Sequence, residues 1–130
     1  LPIDSTLADA HGSAERRSMS CGSIVRADVA LEGDSISAAA FKVHACALGQ
    51  ASAAMLLKRA PGLSLADIRA ARTALAAALQ DGADWPADWE ELGLLERARE
   101  YPGRHAALLI GYDALIAAFE DANAHIAQMG

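Results

Sequence analysis

The sequence predicts an α+β fold, an antiparallel β-hairpin followed by helices that cover it. Two observations carry this expectation. Val25, Ala27, Val29 and Leu31 alternate with Arg26, Asp28 and Glu32 at the period of a half-buried strand, and apolar residues after Cys46 recur at helical spacing. Strands first and helices afterwards is the order of an α+β layer rather than of an alternating parallel α/β sheet. With 130 residues and 53% hydrophobic content, the chain suffices for one core and is too short for two, so residues 1–130 are expected to form a single domain.

Residues 1–12, with Pro2, Asp4, Ser5, His11 and Gly12, show no sustained period and read as a loose entry segment. The chain begins at Leu1 rather than Met, which points to a natural start further upstream. After the strand at Val25, Glu32-Gly33-Asp34-Ser35 is a turn in which glycine supplies a positive φ. The return strand runs from Ile36 to Ala45, with Phe41, Val43 and Ala45 alternating against Lys42 and His44.

A first helix opens after Cys46. Its residues Ala47, Gly49, Ala51, Ser52, Ala53 and Ala54 are small enough to let its backbone approach the sheet closely. Ser64-Leu65-Ala66-Asp67 is a capping box, and Leu65, Ile68, Leu75 and Leu79 continue one apolar face until Gly82, so this helix is expected to pack on the sheet. Residues 83–91, with Trp85-Pro86 and Trp89, read as a connector, and 92–100 as a short helix broken by Tyr101-Pro102-Gly103. Trp85, Trp89 and Tyr101 are expected to cover the core. A last helix spans Arg104 to Gln128, with Leu108, Tyr112, Leu115 and Phe119 as its apolar stripe.

The net charge of −6 leaves no clustered basic field for phosphates, so nucleic acid is not an expected partner. Charged residues interrupt every alanine-rich run, which leaves no membrane span, and a cytoplasmic location is expected. The sequence holds no Ser-His-Asp arrangement, glycine-rich phosphate loop or HExxH helix, and no enzymatic activity is expected.

The two cysteines are the candidate chemistry. Cys46 follows a strand and opens a helix, where unpaired amides and the positive helix end favour a thiolate, which is both a metal ligand and a nucleophile. Cys21, Ser23, Val25 and Ala27 share one parity if the second strand extends backward, which aims Cys21 and Ser23 to one side. The competing reading is that both thiols are small packed hydrophobes; in an oxidising compartment a 21–46 disulfide is a further alternative.

The residues around both thiols carry a specific likeness. The run Ser20-Cys21-Gly22-Ser23-Ile24 and the passage Phe41-Lys42-Val43-His44-Ala45-Cys46-Ala47-Leu48-Gly49-Gln50-Ala51-Ser52-Ala53-Ala54-Met55 resemble the iron-sulfur cluster assembly scaffolds of the NifU N-terminal, IscU and SufU type. Those proteins have a pattern close to CGD at the first cysteine and FxGxGCAxSxASAS at the second. A third block, Arg99 to Leu109 with Tyr101-Pro102-Gly103-Arg104, is similar to their R-x-[FY]-P-A-R-x-K-C-A-x-L segment. The likeness spans roughly residues 13 to 120.

The resemblance implies a three-stranded antiparallel β-sheet covered by a layer of helices, of SufE/NifU-like kind, with the third strand at Ala14 to Ser20. It implies that Cys21 and Cys46 are ligands and sulfur acceptors for a transient iron-sulfur cluster. A cysteine desulfurase and apo iron-sulfur proteins are the implied partners. Two ligand positions differ: Ser23 stands where the family has aspartate, and Ala107 where it has its third cysteine, with Ala106 replacing the lysine or histidine before it. Ser23 is a weak, neutral donor. His105 and His44 are candidate replacement ligands, although positions 105 and 107 lie about 200° apart on a helix. Thiolates with imidazole would also suit zinc. A homodimer or a small-thiol co-ligand would complete the coordination. The rival reading is a zinc-binding or persulfide-accepting sulfur-relay adaptor of a desulfurase that builds no cluster.

Overall fold

The computed structural model describes residues 4–18, 22–82 and 101–129. Among them the chain forms strands β1 (Gly12–Arg17), β2 (Ile24–Glu32) and β3 (Ser35–His44), then helices α1 (Ala47–Arg59), α2 (Leu65–Gln80) and α3 (His105–Met129), the last preceded by a 3₁₀ turn at Pro102–Arg104. The sheet is antiparallel in the order β1-β2-β3. This is the expected α+β architecture.

β2 is central, and its alternation is realised as Val25, Ala27 and Val29 fully buried beneath the helices. Gly33, at φ +63, closes the hairpin where side-chain-bearing residues are strained. On β3, Phe41 pairs with Ala27 and is fully buried. β1 begins two residues earlier than expected, with Gly12 opposite Val29 and Arg17 opposite Ile24. Gly12 lies directly under α3, where a Cβ would collide with the backbone of Ala118 and Ala122. The strand can start there because glycine leaves that space empty.

α3 runs over β1 and β2, burying Leu108, Tyr112, Leu115 and Phe119 as its stripe predicts. It occupies the apolar face of the sheet, so α2 packs on α3 and not, as expected, on the sheet. Ion pairs from Arg72 to Asp113 at 2.7 Å and from Arg69 to Glu120 at 3.0 Å tie the two helices together. The capping box of α2 forms as read, with the Asp67 amide donating to Ser64 Oγ at 3.1 Å and the Ser64 amide to the Asp67 carboxylate at 3.0 Å. These bonds hold the Asp67 carboxyl below its usual range.

The entry segment is better anchored than its composition suggests. The Ser5 amide donates to the Phe41 carbonyl and the His11 amide to the Val29 carbonyl, both at 2.8 Å, and His11 Nδ1 accepts from the Leu31 amide at 2.8 Å. The segment runs from the edge of β3, which Asp4 joins opposite Lys42, to the start of β1, and the Leu7 amide bonds Asp28 on the face opposite the helices. There Asp28, expected on a polar face, is only 2% exposed. Burial pushes its carboxyl up, but the Ser13 hydroxyl at 2.6 Å, the Leu7 amide at 3.3 Å and the Arg26 guanidinium at 3.4 Å outweigh this and hold it below the usual range.

Tyr101 does not cover the core, being 56% exposed. Trp85 and Trp89, the connector at 83–91, the helix expected at 92–100, and the strand end at Ser20 fall outside the described residues. No described helix is long and apolar enough to cross a membrane.

Candidate thiol site

Strand β3 ends at His44, and two residues later Cys46 takes the N-cap position of α1 in an extended conformation, φ −65 and ψ 168. The Cys46 side chain caps no amide, and its thiol is free and half-buried. Its carbonyl accepts the Gln50 amide at 2.9 Å, while Gln50 Nε2 donates to the Ala45 carbonyl at 3.1 Å, so the strand-to-helix corner is held from both sides. No acidic residue occupies the first turn of α1. The first turn of α1 therefore carries no negative side chain to offset the positive end of the helix.

A cavity of about 150 Å³ opens at this corner, lined by Gly22, Ser23, His44, Ala45 and Cys46. The sheet register explains the convergence: Ile24 pairs with His44, so the start of β2 and the end of β3 lie side by side. Gly22, at φ +71, makes the turn out of β1, with its amide donating to the Ser18 carbonyl at 3.0 Å, and the Ser23 carbonyl accepts the Ser18 amide at 2.8 Å. Ser23 is buried at 3% exposure, whereas His44 is largely exposed. Cys21 lies outside the described residues.

The first turn of α3 packs against the start of α1 beside this corner. Gly49 of α1 is so close to it that a Cβ there would lie 3.1 Å from the Ala107 carbonyl oxygen and 3.0 Å from Ala45 Cβ. Ser52 Oγ donates to the Leu108 carbonyl at 2.8 Å, and Gly111 faces Ala53. The small residues of α1 therefore admit α3, a closer neighbour than the sheet they were expected to meet.

His105 turns away from this corner. It is buried at 8% exposure and lines a separate cavity with Arg16, Arg72 and Asp113. The structure thus brings Ser23, His44 and Cys46 together and leaves His105 apart. Among the described residues, which do not include Cys21, no three His, Cys, Asp or Glu side chains stand close enough to hold a metal ion.

The family model of the NifU-like N terminal domain matches residues 3–116. The chain belongs to that family. Comparison with curated proteins finds no match. Among solved structures the chain is similar to a nitrogen-fixing NifU-like protein (N-terminal) from Brucella abortus, with 28% identity, TM-score 0.86, and coverage of 94% of this chain and 85% of that one. It shares its fold with a candidate iron-sulfur cluster assembly scaffold protein for the SUF system from thermophilic Fervidobacterium islandicum, with 22% identity, TM-score 0.75, and coverage of 90% and 86%.

Ala107, where the family likeness read from the sequence expects a third cysteine, packs against Gly49 in the first turn of α1. Sequence reading did not find the grouping of Arg16, Arg17 and Arg72 around His105. Only the adjacent pair Arg16-Arg17 was visible, and Arg72 joins it through tertiary packing.

Proposed function

We propose that this NifU-like chain is an iron-sulfur cluster assembly scaffold-like protein. Cys21 and Cys46 receive iron and sulfur, or a labile cluster, and pass it to apo-proteins. The observation that carries the reading is Cys46 at the mouth of α1, in a cavity shared with Ser23 and His44 and bounded by Gly22, the residue that follows Cys21. A cysteine desulfurase supplies the sulfur, in the cytoplasm, and the chain acts as a carrier rather than a catalyst.

Two thiols per chain fall short of the four thiolates that hold a typical cluster. A second copy of the chain supplies the other two, so the loaded form is a homodimer bridged by its cargo. The test is anaerobic reconstitution with ferrous iron, cysteine and a desulfurase. A charge-transfer absorption band that co-elutes with a dimer supports the scaffold, and a monomer that never acquires the band contradicts it.

A sulfur-relay adaptor is the second reading, and the methyl group of Ala107 at the third thiol position favours it. Here the Cys46 thiolate attacks the outer sulfur of the desulfurase persulfide. The new sulfur-sulfur bond forms on Cys46 as the old one breaks, and the desulfurase cysteine leaves as a thiolate. Mass spectrometry after incubation with desulfurase and cysteine would find one added sulfur on Cys46 and no iron.

A further inference from the structure

On the far side of the first turn of α3, between the end of β1 and the helices α2 and α3, lies an open cavity of about 710 Å³. Small-molecule sites span roughly 300–1,000 Å³ and combine apolar walls with a few convergent polar groups. Leu109 and Ile110 of α3 give this cavity apolar lining, and Arg16, Arg17 and Arg72 give it cations. In a chain of net charge −6 that concentration of positive charge runs against the overall balance.

The three guanidiniums are not equivalent. Arg72 is committed to Asp113 at 2.7 Å, the one carboxylate among the described lining residues. Arg17 lies 3.5 Å from Glu15, and both side chains are largely exposed. Arg16 donates to the Glu15 carbonyl at 2.9 Å and has no carboxylate partner among the described residues. Most of its five donors therefore remain for a ligand, in the fork geometry that suits carboxylate or phosphate oxygens.

We propose that this cavity binds a small organic anion, a carboxylate or phosphate carried on an apolar body, with Arg16 as the main anchor. The head group lies against the guanidinium of Arg16, and the apolar body rests on Leu109 and Ile110, while the Arg17 guanidinium is drawn to Glu15 on the other face of the strand. Arg72, balanced by Asp113, shapes the wall and contributes little net attraction. The site is separate from the thiol cavity but close to it, since Ser18 lines this cavity while its amide bonds the Ser23 carbonyl at 2.8 Å. Binding does not depend on cluster chemistry and is measured on the protein without metal.

Benzoate and phenyl phosphate carry the same ring on the two head groups, and benzyl alcohol carries it without charge. Each is titrated into the full chain by calorimetry at low salt. The expected result is saturable one-to-one binding of benzoate or phenyl phosphate, none of benzyl alcohol, and weakening on addition of sodium chloride. The preferred anion identifies the head group. Arg16→Gln should weaken binding about tenfold, the scale of one charge-assisted contact, and Arg69→Gln, on α2 outside the cavity, should leave it unchanged.

Circular dichroism checks the fold of each variant. Methyl resonances of Leu109 and Ile110 in the unmodified protein give a second readout that needs no variant, because they shift when the ring enters. Absence of saturable binding by either anion at millimolar concentration would overturn the proposal. So would equal binding by folded Arg16→Gln, or binding that leaves both sets of methyl resonances unmoved.

Discussion

Gly49 on α1 and Ala107 on α3 meet so closely that a Cβ at position 49 would lie 3.5 Å from the Ala107 Cβ and 3.1 Å from its carbonyl oxygen. Since α1 begins directly after Cys46, this contact sets how near the thiol lies to the first turn of α3. It places the Ala107 methyl group against the first turn of α1.

Restoring donors at this contact should therefore strengthen cargo binding. A variant with both Ala107→Cys and Ser23→Asp offers, with Cys21 and Cys46, a four-donor set within one chain. After anaerobic reconstitution it should hold more iron and sulfide per chain than the parent. Its absorption band should also decay at least several-fold more slowly in the presence of a chelator.

The close approach of β1 to α3 makes Gly12 intolerant of a side chain. A Cβ there meets the backbone of Ala118 and Ala122, which cannot move aside as a flexible side chain would. Gly12→Ala should destabilise the fold by about 1–3 kcal/mol, the usual scale of overpacking, read as a lower urea midpoint at unchanged slope.

Asp28 links pH to stability. Its carboxyl lies below the ordinary value in the folded chain, so the stability it contributes is fully present above the unfolded value of about 3.9 and is lost as pH falls through the lower folded value. Ser13→Ala removes the 2.6 Å hydrogen bond. It should cost about 1–3 kcal/mol at pH 7, and the difference from the parent should shrink in urea titrations repeated below pH 4.

What could be read from the sequence is what local chemistry decides. The Gly33 turn, the Ser64 and Asp67 capping box, and the Leu108 to Phe119 stripe each depend on residues a few positions apart, and all three form as expected. Asp28 looked solvated because the segment that buries it carries no periodicity and is held by backbone bonds. The packing of α2 followed from the length and placement of α3, which a stripe on α2 does not reveal. At the site, the Cys46 helix mouth was legible from the strand-to-helix switch. The burial of His105 and its placement beside Arg16 and Arg72 were not, because β1, α2 and α3 meet only in the folded chain.

The start of α1, which carries no acidic residue, makes the reactivity of Cys46 sensitive to added charge. The readout is its reaction with a neutral thiol reagent near pH 7 in a Cys21→Ser background. Ala47→Glu places a negative charge in the exposed first turn. It should slow that reaction about two- to fivefold, the scale of one charge at a helix end, while an added Glu at the far end of α1 should not.

The central claim is that Cys21 and Cys46 hold iron and sulfur. Its most direct test is the iron and acid-labile sulfide content of protein purified without oxygen, measured alongside Cys21→Ser and Cys46→Ser. Iron with sulfide in the parent, lost in both variants, is the predicted result. An absence of both from the parent, even after anaerobic reconstitution, would contradict the scaffold reading and leave the NifU-like fold without its cargo.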